Sequence, residues 1–244
     1  MLFRRRMYLI IATLSFSLSV LSPISAQQTP QPLPTAEPPL THEDEAAIDY
    51  TELHPRRLKD GGFILGDPAA PLTIIVFVDW ACPACQNYYP DLQRFVREQV
   101  AAGEAQFEVR MFPTAGGEMT VFAGMIAECM DEAQPGAFWQ AYDAYFDLAA
   151  RDEFFAEDGI RSVVTALDLD YGRMLTCGAN ADQVTTDVNY GRALGVTGTP
   201  AVMARLGDQD PEWIRVGNHV YDSGYVPYEI LSALVDFILL PPNV

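Results

Sequence analysis

Positive charge is scarce in this chain. Its 244 residues hold 15 Lys and Arg against 33 Asp and Glu, a formal net charge of −18, and Lys59 is the single lysine. A nucleic acid or an anionic membrane surface therefore finds no basic patch to bind, and the acids read as a solvated surface. Histidine is also rare, at His42, His54 and His219. Cysteine occurs at 82, 85, 129 and 177. A zinc site takes about four ligands, usually supplied as close pairs, and only Cys82 and Cys85 are close, so no metal site is expected. No cofactor is expected either. Beyond residue 26 no stretch is long and apolar enough to cross a bilayer, and no internal repeat is visible.

The first residues do carry such a stretch, in short form. Met1-Leu-Phe-Arg-Arg-Arg6 is basic, Met7 to Leu21 is almost wholly apolar, and Ser22-Pro-Ile-Ser-Ala26 follows. This pattern is that of a secretory signal, with cleavage expected after Ala26; the alternative is an uncleaved N-terminal membrane anchor. Either way the body of the protein is expected outside the cytoplasm, in the periplasm or at the cell surface. Loss of a segment with three arginines and no acid takes the charge from −18 to −21. Residues 27–56 read as a linker: Gln27 to Leu40 (QQTPQPLPTAEPPL) is Pro-rich and cannot bury a core, and His42 to Glu52 is acidic and expected to be loosely held. Residues 57–244 suit one domain.

Within that domain Leu72 to Val78 is apolar and β-branched, as in a strand buried on both faces. Leu92, Phe95, Val96 and Val100 recur at helical spacing, so a helix is expected from Cys82 to about Val100. Ala105 to Phe112 alternates, with Phe107, Val109 and Met111 set against Glu108 and Arg110, and reads as a second strand. From about 118 to 194 the spacing predicts five helices: Glu118 to Met130, Gly136 to Ala150, Gly159 to Leu167, Tyr171 to Cys177 and Ala181 to Leu194. Ala201 to Arg205 and Trp213 to Val216 read as short strands, and Val226 to Leu240 as a last amphipathic helix.

Cys82-Pro-Ala-Cys85 sits where the first strand hands over to the first helix. Two cysteines at this spacing can open and close a disulfide between themselves. A helix N-terminus favours the thiolate, which is the attacking species in disulfide exchange. Over a hundred residues later Gly195-Val-Thr-Gly-Thr-Pro200 precedes the next strand.

The order of elements, the Cys82–Cys85 pair and Thr199-Pro200 resemble the α/β thioredoxin fold. The helical block at about 118–194 resembles the insertion of its DsbA-like branch. Gly66-Asp-Pro68, Phe77-Val-Asp79, Phe138-Trp139 and Gly191-Arg-Ala-Leu-Gly195 are further points of likeness. The resemblance implies an extracytoplasmic protein thiol:disulfide oxidoreductase. Cys82 resembles the exposed nucleophile of that family, Cys85 the more buried resolving cysteine, and Thr199-Pro200 the cis-proline loop that faces the pair and receives an extended substrate. Trp80 and Pro83 flank the cysteines and are expected at the substrate surface. Phe138, Trp139, Tyr142 and Tyr145 are expected in the core of the helical block. Cysteine-containing secreted proteins are the implied substrates, and a membrane partner of the DsbB or vitamin-K-epoxide-reductase type the implied reoxidant.

The chain departs from the pattern in two ways. Relatives often place a carboxylate where Val76 stands, so another route must carry the proton of Cys85. Asp79 is one candidate proton relay, expected nearer the surface, with a turn or cap role as the alternative. The pair also encloses no His or Lys to hold a thiolate. In a secreted protein Cys129 and Cys177 are expected to form a structural disulfide, as some DsbA-like relatives carry; two buried free thiols are the alternative. The favoured direction is oxidation of substrate dithiols. A reductase or isomerase of the same fold stays open, though nothing resembles a dimerisation domain. So does a non-catalytic binding module.

Overall fold

The structure is a computed structural model that describes residues 47–151 and 157–240. The expected signal and most of the linker lie outside these residues. Eight strands and seven α-helices follow in chain order: β1 (Arg56–Arg57), β2 (Phe63–Leu65), β3 (Leu72–Val78), α1 (Pro83–Phe95), β4 (Ala105–Met111), α2 (Gly117–Ala133), α3 (Ala137–Ala150), α4 (Glu157–Ala166), α5 (Tyr171–Gly178), α6 (Gln183–Ala193), β5 (Ala201–Leu206), β6 (Glu212–Trp213), β7 (Arg215–Val216), β8 (His219–Val220) and α7 (Tyr228–Leu239).

Six strands form one sheet in the order β1-β2-β4-β3-β5-β6. β3 lies at its centre, parallel to β4 and antiparallel to β5, and every one of its residues is buried. The β-branched run suits that place, because both faces are covered. Leu72, Ile74, Val76 and Val78 face the main core, with Phe95, Phe107 and Trp139; Ile75 and Phe77 face a smaller cluster with Phe112, Val196 and Met203. Helices α2 to α6 are inserted between β4 and β5, and α7 packs against α1. This is the thioredoxin arrangement with an inserted helical block that the resemblance implied.

Four details differ from the expected layout. The helix after Cys82 is regular to Phe95 and finishes in a π-helical segment, Val96–Val100. The strand expected at Trp213 to Val216 is divided at buried Ile214: Glu212–Trp213 joins the sheet, while Arg215–Val216 pairs with His219–Val220 across a Gly217-Asn218 turn. Gly217 has φ 58°, which is what a two-residue hairpin turn demands. Glu108 and Arg110 are not solvated; they are 0% and 1% exposed. Arg110 donates to Glu108 at 2.7 Å, to Asp187 of α6 at 3.0 Å and to Asp60 at 3.1 Å, and Arg205 donates to Glu108 at 2.7 Å. Charges removed from water are tolerated there because each has an opposite partner.

The linker boundary at 56 also needs correction. Tyr50–Leu53 forms a 3-10 turn capped by Asp49, and Tyr50 and Leu53 are buried. The Tyr50 hydroxyl donates to the Asp143 carboxylate at 2.7 Å, and β1 pairs with β2. The folded body thus includes the segment from about Ile48 onward. Tyr50 is held because its hydroxyl meets a half-buried carboxylate 93 positions away.

Candidate active site

Cys82 is the N-cap of α1, with φ −77° and ψ 117°, and Pro83 opens the helix where a missing N–H is harmless. The first-turn amides of α1 therefore open toward Cys82, although its sulfur makes no capping hydrogen bond with them. Cys82 is 8% exposed and Cys85, one turn on, is 0% exposed. Pro83 and Ala84 between them are open to solvent. Both cysteines are free thiols in this structure. Thr199–Pro200 is a cis peptide, and the Cys82 thiol donates to the Thr199 carbonyl at 3.4 Å. The residues 82, 85, 199 and 200, far apart in the chain, are thus assembled at one place.

The two thiols sit in different surroundings. Burial pushes the Cys85 thiol far above its ordinary range, and the neighbouring Cys82 thiol adds to this; the backbone at Asp79 and the Thr199 side chain pull the other way without prevailing. Val76 belongs to the same apolar cluster as Cys85 and brings it no charge.

Asp79 is not near the surface; it is 0% exposed. One carboxylate oxygen accepts the N–H of Ala81 at 2.9 Å and the Thr120 hydroxyl at 2.6 Å. The other accepts the N–H groups of Thr114, Ala115 and Gly116 at 2.7, 2.6 and 3.0 Å. Burial alone would raise its pKa, but these hydrogen bonds outweigh it and hold the carboxyl below the ordinary range. A carboxylate so held resists taking a proton, which speaks for the turn role over the relay.

Trp80 departs from expectation. It is 0% exposed, its indole N–H donates to the Tyr142 carbonyl at 3.2 Å, and its ring meets Tyr145 edge-on at 5.0 Å. A side chain of this size, next to the apolar helical block, gains more from burial than from a place on the surface. It supports the site from beneath and does not line the substrate surface. Pro83 alone of the two is open to solvent. Phe138, Trp139, Tyr142 and Tyr145 are core residues, as their spacing indicated.

Cys129 of α2 and Cys177 of α5 form a disulfide, with their Cα atoms 5.9 Å apart. The pair borders an open surface groove of about 550 Å³, which also carries Glu132, Asp168, Asp170 and Arg173. Its lining includes none of the residues around Cys82. Among the described residues there is no cluster of His, Cys, Asp and Glu that could hold a metal ion. Sequence reasoning missed Thr114 and Thr120, the partners of Asp79. Gly116-Gly117 is the one local signal of the tight loop they share.

This geometry agrees with the comparisons to known proteins. The thioredoxin family model, described as Thioredoxin, matches residues 59–207. The chain therefore belongs to the thioredoxin family. With its cysteine pair facing a cis-proline loop, it is a thiol:disulfide oxidoreductase of the thioredoxin fold.

Two solved structures align over most of their length. α-DsbA1 of Wolbachia pipientis has a TM-score of 0.60 at 19% identity, covering 72% of this chain and 89% of that one. DsbA2 of Pseudomonas aeruginosa has 0.55 at 25% identity, covering 72% and 92%. Among curated proteins, a probable disulfide bond formation protein D of Bacillus cereus is 26% identical over 157 residues, 61% of this chain and 72% of that protein. The Na(+)/H(+) antiporter NhaA 3 of Salinispora tropica is 28% identical over 145 residues, 58% of this chain but only 21% of the antiporter's length.

Proposed function

We propose that this protein oxidises the paired thiols of substrate proteins outside the cytoplasm, using the Cys82–Cys85 disulfide. The observation that carries the reading is the free cysteine pair at the start of α1, with Cys82 8% and Cys85 0% exposed, set against the cis Thr199–Pro200 peptide. A substrate thiolate attacks the Cys82 sulfur, the bond to Cys85 breaks, and Cys85 leaves as a thiolate that takes up a proton. Its environment strongly favours the thiol. Cys85 therefore does not readily attack back on the mixed disulfide. A second substrate thiolate attacks the substrate sulfur of that mixed disulfide, and Cys82 leaves. The substrate has then lost two electrons and two protons, and the pair has gained them.

Supporting the reading are the name of the Bacillus relative, which refers to disulfide bond formation, and the signal-like first 26 residues. The Cys129–Cys177 bond also fits a compartment where disulfides persist. Substrates are cysteine-containing secreted proteins, held as extended chain along Thr199-Pro200 and over Pro83. A membrane partner of the DsbB or vitamin-K-epoxide-reductase type returns the pair to the disulfide, in keeping with the family resemblance. The test is the reduction potential of the pair against glutathione. A value near about −120 mV supports an oxidant, and one near about −270 mV overturns that direction in favour of a reductase.

A further inference from the structure

The Asp79 carboxylate does more than close a turn. Its six hydrogen bonds, one of them a long 3.5 Å contact from the Thr114 hydroxyl, join three segments: the turn into α1 at Ala81, the loop after β4 at Thr114 to Gly116, and the first turn of α2 at Thr120. Three successive N–H groups on one oxygen make a small anion cradle, filled here by the protein's own side chain. The approach is so close that Gly116 has no room for a side chain. A Cβ there would stand 2.7 Å from the Ala81 Cβ and collide with the Thr120 hydroxyl.

Thr114, held in this way by its N–H, shares a 2.6 Å hydrogen bond with the Thr199 hydroxyl, 85 positions along the chain. Thr199 in turn accepts the Cys82 thiol on its carbonyl. A continuous path of contacts thus runs from Asp79 through Thr114 and Thr199 to the Cys82 sulfur. The last bond exists only while Cys82 carries a proton, so it belongs to the dithiol form and is absent from the disulfide. Whatever holds the Thr199 carbonyl in place stabilises the dithiol against the disulfide.

We propose that Asp79 and Thr114 form a latch that positions the Thr199–Pro200 loop against Cys82 and so makes the pair a stronger oxidant than it would otherwise be. The latch rests on the oxidoreductase reading above. Both are positioning residues, because they act on the sulfur through Thr199.

The test is the equilibrium with glutathione, in which the protein dithiol and one oxidised glutathione give the protein disulfide and two reduced glutathiones. Two electrons and two protons pass from the pair to glutathione. Thr114→Val keeps the backbone bond to Asp79 and removes the hydroxyl. The expected result is a rise of about threefold to tenfold in the constant for oxidation of the pair, the scale of one weakened hydrogen bond, with the melting temperature unchanged because Thr114 is exposed. Thr114→Ser restores the wild-type constant, and Asp79→Asn shifts it further in the same direction. If Asp79→Asn fails to fold, the two Thr114 variants carry the test. A Thr114→Val constant equal to wild type overturns the latch, as does a Thr114→Ser shift as large as that of valine. A wild-type pair that does not exchange with glutathione overturns instead the oxidoreductase reading on which the latch rests.

Discussion

The molecule contains two cysteine pairs that differ in every respect but composition. Cys82 and Cys85 are separated by two residues at the start of a helix, Cys82 donates its thiol proton to the Thr199 carbonyl, and both are free. Cys129 and Cys177 are separated by 48 positions, sit on two packed helices and are bonded. The first pair lies where a helix end and a buried partner make the two sulfurs chemically unequal. The second lies where a bond closes a long loop and its value is to the folded chain. Position relative to secondary structure, and not the residue type, decides whether a cysteine pair is a tool or a staple.

The sharpest way to break this comparison is to delete one sulfur. Cys82→Ser is expected to abolish oxidation of a model dithiol peptide, a loss of several orders of magnitude; unchanged turnover would sink the assignment of Cys82 as the attacked sulfur. Cys85→Ser, mixed with the disulfide form of the peptide, should accumulate a mixed disulfide on Cys82 as its thiolate attacks the peptide disulfide and releases one peptide thiol, read by intact mass. If instead the substrate is found on Cys129 or Cys177, the division between tool and staple fails. Replacing both Cys129 and Cys177 by alanine should leave the exchange rate within about twofold of wild type. It should lower stability by about 4 kcal/mol, the scale for a closed loop of this size. Denaturant unfolding with and without the bridge measures it.

A smaller effect sharpens the contrast through two carboxylates that both tie down α1, Asp79 buried and Asp143 half-buried. Asp79, with donors from five residues, is held below the ordinary range. Asp143 is surrounded by Tyr50, Tyr89 and Gln93, and burial pushes it up to about 6 despite their hydrogen bonds, with Asp147 adding to the rise. Because the folded pKa of Asp143 lies above its unfolded value, the folded state holds a proton that the unfolded state lacks between about pH 4 and 6. Its contribution to stability is therefore present below that window and lost as pH rises through it. Wild type should gain about 2 kcal/mol relative to Asp143→Asn on going from pH 7 to pH 4.5, read by denaturant unfolding at both values. A difference independent of pH would show that Asp143 is as well satisfied as Asp79.

Much of the architecture was legible in the chain. The β-branched run of β3, the five helical periods of the inserted block and the Cys-Pro-Ala-Cys cap depend on residues close in sequence, where spacing alone dictates which face is apolar. The family resemblance added Thr199-Pro200. What escaped was set by distant partners. Trp80 looked like a surface residue beside the cysteines until the helical block folded over it. Glu108 and Arg110 looked like the wet face of a strand until α6 and the Asp60 loop covered them. Tyr50 looked like part of a loose linker until Asp143 received its hydroxyl.

The sequence by itself determined the order of elements and the reactive pair, because local period, capping and cysteine spacing act over a few residues. Only the tertiary structure decided how deeply each sulfur is buried, and what Asp79 does. Burial of Cys85, and the joining of Asp79, Thr114 and Thr199, come from segments tens of residues apart whose approach no local pattern encodes.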